Sequence, residues 1–327
     1  MSSQNKQGRI VQGLTLIALV ALVAAYFSPI WWVSLTAPNY PKDAFPDGIR
    51  IHFHFNGVYN GCTVAGSGTR LARETLQEDL GADVERYNPI LDKNKDVNKD
   101  AKGLDCVHEM NTINHYVGMF PIETGAPVER PAAKFFFGFF AVMMLAFMVP
   151  TRRLRLTVLG AGFAAVAAAM VTDYYLLGHL DAFISNYSRE AATFFNEPAR
   201  LQVWADNLRS ASNALVVGLI AAMVVVFLGV WKMRGFTLLL AAVPAALPVF
   251  FVIDYAGWLW FFGHNLHPWG AFTVKPFMPT VFGEGKVAQF STYSYPYWGY
   301  ALLLAIGVAM TLALLIRRRQ MREGTAE

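Results

Sequence analysis

The chain is short of charge and of cysteine. Only 15% of its 327 residues are charged, while 55% are hydrophobic and mean hydropathy is +0.35. Soluble domains carry about a quarter charged residues, so this balance excludes an ordinary water-soluble globule and points to a polytopic membrane protein. No glycine-rich phosphate loop or nucleotide motif occurs. The linkers on the basic side are too short for an ATPase domain, which excludes energy-driven pumping by this chain alone. The pI near 9.0 is no sign of nucleic-acid binding, because the basic residues cluster in short linkers beside apolar runs.

Five stretches are apolar and long enough to cross a bilayer: Ile10 to Val33, Ala133 to Val149, Leu156 to Leu177, Ala211 to Trp231 and Phe236 to Phe262. A sixth, Trp298 to Ile316, follows a Pro- and Tyr-rich segment. The first has the basic prelude of a signal peptide (Lys6, Arg9). It is too long for one and ends in Trp31 and Trp32 with no small-residue cleavage pattern, so it reads as an anchor spanning residues 1–33. The N-terminus, the linkers Thr151 to Arg155 and Lys232 to Gly235, and the tail Arg317 to Arg322 are all basic. Six spans put them on one side, which the positive-inside rule makes cytoplasmic. The expected location is therefore the bacterial inner membrane, with both termini inside and the long loop periplasmic.

The fold expected is mainly α: six transmembrane helices with a small α+β extracytoplasmic domain over residues 34–132. A five-span domain over 133–327 follows, with outer loops at 178–210 and 264–297. In the long loop, acidic residues outnumber basic ones. Ile49 to Asn56 alternates with period two, setting Ile51, Phe53 and Phe55 on one face of a strand and Arg50, His52 and His54 on the other. Arg70 to Tyr87 reads as an amphipathic helix. Asp92, Asn94 and Asp96 have EF-hand spacing, but Val97 stands where the turn glycine belongs and Gly103 where the closing glutamate belongs, so a solvated loop is expected.

All seven histidines and both cysteines fall on the expected outer side. Cys62 and Cys106, in an oxidising compartment, read first as a disulfide and alternatively as thiolate metal ligands. On a helix, His108, His115 and Met119 share one stripe while Met110 lies far round it. Imidazole and thioether together suit Cu(I), and His52 or His54 from the strand could complete such a site. The competing reading of the stripe is packing. His264 and His267 end the fifth span, above Asp254, and could pass the ion to a partner.

The spans carry a repeat. Val171 to Leu180 and Val252 to Leu266 both run Asp-Tyr, then apolar residues, then Gly-His, as a duplicated helical hairpin would. Asp173 and Asp254 lie inside apolar runs, where a carboxyl is a functional-site hypothesis by default; a hydrogen bond to a neighbouring Tyr or Trp is the structural alternative.

Trp31 to Pro41 (WWVSLTAPNYP), Ile113 to Met119 (INHYVGM), Gly263 to Pro268 (GHNLHP) and Pro276 to Phe290 together resemble a group of bacterial inner-membrane proteins of copper-enzyme accessory systems, including those that mature nitrous oxide reductase. The resemblance implies copper handling at the outer face beside a copper enzyme or another membrane or periplasmic protein. It assigns no ligand set, and the charged insertion at 92–102 departs from it. The expected function is a copper-binding accessory protein, more plausibly non-catalytic than an enzyme. A haem- or quinol-linked redox subunit, with His179 and His264 at span ends, and a secondary transporter or scaffold using Asp173 and Asp254 compete with it.

Overall fold

The computed structural model of the chain describes residues 3–38, 40, 45–62, 105–271, 273–287 and 289–323. The expected helix at Arg70 to Tyr87 and the expected solvated loop at Asp92 to Asp105 lie almost wholly outside these. Nine α-helices are described: α1 (Ser3–Phe27), α2 (Cys106–Tyr116), α3 (Glu129–Met148), α4 (Arg152–Val171), α5 (His179–Phe194), α6 (Pro198–Lys232), α7 (Leu239–Ala245), α8 (Leu247–His264) and α9 (Trp298–Arg322). Five spans are long and apolar enough to cross a membrane: α1, α3, α4 with its extension to Leu176, α6 and α9. A sixth results if α7 and α8 are one bent span.

The bend departs from the continuous fifth span read in the sequence. Pro244 sits inside α7 and Pro248 in the first turn of α8, and the axis turns by 53° at the break between them. Each proline removes an amide donor and crowds the preceding turn, which is the usual cause of a sharp kink. The expected loop at 178–210 is also mostly helix. It is α5 together with the start of α6, whose 35 residues span roughly 52 Å at 1.5 Å per residue, well beyond a hydrocarbon layer of about 30 Å.

The first span stops earlier than its apolar run suggests. Pro29 follows α1, and Trp31, Trp32 and Val33 open a strand, β1 (Trp31–Thr36), in place of the last helical turn. β1 is the centre of an antiparallel sheet ordered β3-β2-β1-β5-β4, with β2 (Ile49–His54), β3 (Gly57–Asn60), β4 (Gly283–Val287) and β5 (Phe290–Pro296). The folded unit expected from residues 34–132 alone is thus shared: Trp31 pairs with Phe53 on one side and with Pro296 on the other. The backbone of Gly299 reaches the Pro29 carbonyl at 3.0 Å. A Cβ there would meet that oxygen at 2.5 Å, so α1 and α9 can close up only on glycine.

Period-two alternation holds in β2. Ile49, Ile51 and Phe53 are buried, while Arg50, His52 and His54 are half-buried. The buried face packs on Cys106, Met110 and Ile113 of α2 and on Tyr255 and Leu259 of α8. Burial of each large aliphatic contributes about 1.5–3 kcal/mol. The Cys62–Cys106 disulfide ties α2 to the end of β3.

At the opposite end the basic linkers meet. Arg155 donates to the carbonyls of Val149 (2.9 Å) and Pro150 (3.2 Å) and to Thr237 (3.3 Å), Arg317 to Phe147 (3.2 Å), and Arg152 to the carbonyl of Trp231. Gln12 of α1 reaches Met148. The molecule therefore has a basic end and a sheet end.

Candidate functional site: an apolar cavity with two carboxyl groups

A cavity of about 680 Å³ opens where α3, α6, α7 and α8 pass beneath the sheet. That volume is within the range of small-molecule sites. Its walls are aromatic and aliphatic: Phe136, Phe137, Phe139 and Phe140 from α3, Leu215 and Leu219 from α6, Phe250, Phe251 and Tyr255 from α8, with Phe53 and Phe55 as the roof. The run Phe135 to Phe140 supplies much of it. On a helix those rings point round more than one face, and four of them line the chamber.

Polar groups are few: Glu129, Arg130, Asp254, His54 and Thr124 stand among the walls. Glu129, in the first turn of α3, accepts a hydrogen bond from the indole nitrogen of Trp258 at 2.8 Å. Arg130 is engaged elsewhere, donating to the carbonyls of Asn56 (3.2 Å) and Glu123 (3.3 Å). Asp254 makes no hydrogen bond or ion pair among the described residues, and it lies close enough to Glu129 for their charges to repel. A carboxyl in an apolar span with no partner is costly to keep and marks a place where something else supplies one.

Asp173 has a different setting. It sits in a π-helical turn (Thr172–Leu176) that ends α4, and one of its oxygens accepts from Lys134 at 2.8 Å and meets His179 Nδ1 at 2.9 Å. The two Asp-Tyr…Gly-His segments therefore differ in structure. The first unwinds at Leu177 and turns on Gly178 (φ 69°), whereas the second stays helical through His264.

Apart from His179, beside Asp173, the histidines divide into three groups. His52 stacks on Tyr297 (4.9 Å between ring centres) and packs against Gly61. Burial, then the nearby Arg50 and His54, bring it down to about 4. His54 packs edge-on to Tyr59, its Nδ1 faces the Phe27 carbonyl at 3.3 Å, and burial lowers it too. Each has an aromatic partner in the sheet or at its edge. His264 stacks on Trp260, with Nδ1 at 2.8 Å from that residue's own carbonyl.

The third group gathers at Phe195. His115 lies 5.0 Å from that ring and His267 4.3 Å; His108 and His115 both face Phe194. Met119 is buried in the same cluster but not as a continuation of the helical stripe. α2 ends at Tyr116, and Gly118, at φ 82°, reverses the chain before it. The Gly118 carbonyl accepts from the backbone of His267 at 2.6 Å, which clips the loop after α8 onto the end of α2. His267 Nδ1 accepts from the Trp269 amide (3.1 Å), so its proton is assigned to Nε2, which lies 2.9 Å from Glu197. Burial, then Arg200, lowers His267. His115 Nδ1 is buried with no hydrogen-bond partner. Among the described residues no three His, Cys, Asp or Glu side chains form a metal-binding group. Cys62 and Cys106 are consumed by their disulfide and are not thiolate ligands.

The sequence singled out Asp254 but missed Glu129, Trp258 and the cavity. The available signals were the phenylalanine run and a glutamate one turn ahead of it. Comparisons with protein-family models, with curated proteins and with solved structures find no match to this chain.

Proposed function

We propose that this chain is a multi-pass membrane protein whose cavity binds an apolar, membrane-soluble molecule and presents it beneath the sheet. The observation that carries this reading is Asp254, a carboxyl without a polar partner among the described residues, facing an apolar chamber of ligand size. In this reading the basic end is cytoplasmic and the sheet end periplasmic, as the positive-inside rule orients the four basic segments. The protein then holds or transfers its ligand without performing chemistry of its own.

The test uses the full chain in lipid nanodiscs and an apolar fluorescent probe whose emission is quenched by Trp258. Gly218 lines the cavity, and a Cβ there would meet nothing within 4 Å, so Gly218→Phe fills the space. Saturable quenching that this variant weakens about tenfold or more supports the reading. Absence of saturable binding in the unmodified protein ends it.

A second reading, copper capture at the sheet end on behalf of a copper enzyme, is favoured by the convergence of His115 and His267 on Phe195 beside Met119. Two imidazoles and a thioether suit Cu(I). A cuprous competition titration of the full chain against His115→Ala and Met119→Ala checks it; equal affinity in all three returns these residues to packing.

A further inference from the structure

The polar lining of the cavity restricts the head group of whatever it binds. Glu129 and Asp254 both offer oxygens and repel one another, whereas Arg130, the lining guanidinium, is already committed to the Asn56 and Glu123 carbonyls. A phosphate or fatty-acid carboxylate would bring a third acidic group beside these two, and the lining guanidinium is the one cation among the described lining residues and is already engaged, so anionic lipid heads fit poorly. A carbonyl-only head would leave Asp254 without a donor. Among the described residues Asp254 has no hydrogen-bond donor, and Glu129 has that of Trp258.

The surroundings add a second restriction. Phe251 and Tyr255 lie parallel, 6.0 Å apart and 5° from coplanar. Trp258 stands one turn beyond Asp254 on the same helix with its indole N–H turned to Glu129. Flat aromatic faces beside acceptor oxygens suit a planar ring that carries hydroxyl groups. The rest of the chamber, phenylalanine and leucine from α3 and α6, suits a branched hydrocarbon tail lying along the spans.

We infer that the cavity selects a hydroquinone with an isoprenoid tail, its ring hydroxyls donating to Asp254 and Glu129, over the oxidised quinone and over anionic lipids. The inference rests on the cavity reading above and concerns binding only; no electron transfer is assigned to the chain. Tyr255 is not needed as a partner, because its hydroxyl lies 3.3 Å from Ser294 in the sheet.

The experiment measures binding of a short-tailed benzohydroquinone, kept reduced under argon, to the full chain in nanodiscs. The matching quinone, the free isoprenoid alcohol and a long-chain primary amine are compared with it. The expected result is that hydroquinone binds about tenfold or more tighter than quinone. Asp254→Asn should remove most of that preference by weakening hydroquinone and not quinone, because an amide can also donate to a carbonyl. Glu129→Gln should shift it in the same direction. Equal affinities for hydroquinone, quinone and alcohol, all abolished by Gly218→Phe, overturn the head-group assignment while leaving the cavity reading intact. Stronger binding of the amine than of hydroquinone, lost in Asp254→Asn, replaces the hydroquinone with a cationic head. If nothing binds, the cavity reading fails first. Elution as a single species of unchanged melting temperature separates loss of binding from loss of fold in every variant.

Discussion

Trp258 donates its indole N–H to Glu129 across 2.8 Å, joining the last turns of α8 to the first turn of α3. Asp254, one turn earlier on α8, receives nothing comparable. The pair closes the cavity at the sheet end, and the unpaired carboxyl faces into it. Two neighbouring acids are thereby given unequal roles: Glu129 also holds the helices together through Trp258, whereas Asp254 is left wholly for a ligand.

Asp254→Asn is therefore expected to leave stability within about 0.5 kcal/mol of the parent, or to raise it, since a half-buried carboxyl without a donor is replaced by a neutral group. Asp173→Asn removes contacts to Lys134 and His179, whose side chains are 48% and 60% exposed, and is expected to cost about 1 kcal/mol or less. Thermal unfolding in a single detergent ranks the two; a larger loss for Asp254→Asn contradicts the assignment of Asp254 as unpartnered.

Gly118→Ala is expected to destabilise by about 1–3 kcal/mol, the usual cost of forcing a residue with a Cβ into the left-handed region. The new methyl would also meet the His267 carbonyl at 2.5 Å. Hydrogen exchange should show faster opening at His267, whose amide bonds to Gly118, while β2 is unaffected.

The dependence of stability on pH is expected to have two limbs of opposite slope. His52 falls from its ordinary 6.5 to about 4 in the folded chain, so the unfolded chain binds the extra proton between those values. Stability from this group is complete above about 6.5 and is lost as pH falls toward 4. Glu190 is raised from 4.5 to about 8 by burial and by Glu123, with Asn111 donating to both carboxyl groups. Its sign is reversed: the folded chain holds the proton, so stability is lost as pH rises from 4.5 to 8. Each group is about half-buried, and solvent screening limits each limb to about 1 kcal/mol. Chemical denaturation from pH 4 to 8 should show His52→Gln flattening the acid limb and Glu190→Gln the other; an unaltered profile in both variants counts against these environments.

Removal of the Cys62–Cys106 bridge by the double alanine variant is expected to cost up to about 3–4 kcal/mol on the loop-entropy account. Mass spectrometry without reduction should find no free thiol in the parent, and unfolding midpoints read the loss. A free thiol pair in native protein is the contrary result.

How far these features can be read in the amino-acid order depends on how local their causes are. The spans are legible because hydropathy is local, and so is β2, whose alternation is complete within six residues. The disulfide follows from there being only two cysteines. Asp254 stands out against its apolar neighbours. By contrast, β1 is hidden in the tail of an apolar run, and the β4–β5 hairpin lies in a loop rich in proline and tyrosine; β5 joins the sheet through β1, more than 250 residues earlier in the chain. The stripe of His108, His115 and Met119 fails at Gly118, where a single positive φ ends the helix. The cavity has no sequence signature of its own, being bounded by residues of α3, α6, α7, α8 and the sheet that are far apart in the chain.

The pairing of Trp31 with Pro296 also sets an order of assembly. Spans are made from the N-terminus at about 5–20 residues per second, so β1 emerges many seconds before β5 exists. During that interval one edge of the central strand has no neighbour, and the Trp31 indole waits for Ser294, its acceptor at 2.9 Å in the finished sheet. The β2–β3 hairpin can dock early and cover the other edge. Biogenesis must therefore shield this strand until the last span is inserted, and a ribosome stalled before residue 290 should leave a chain whose membrane helices are in place and whose sheet is open to capture by a chaperone.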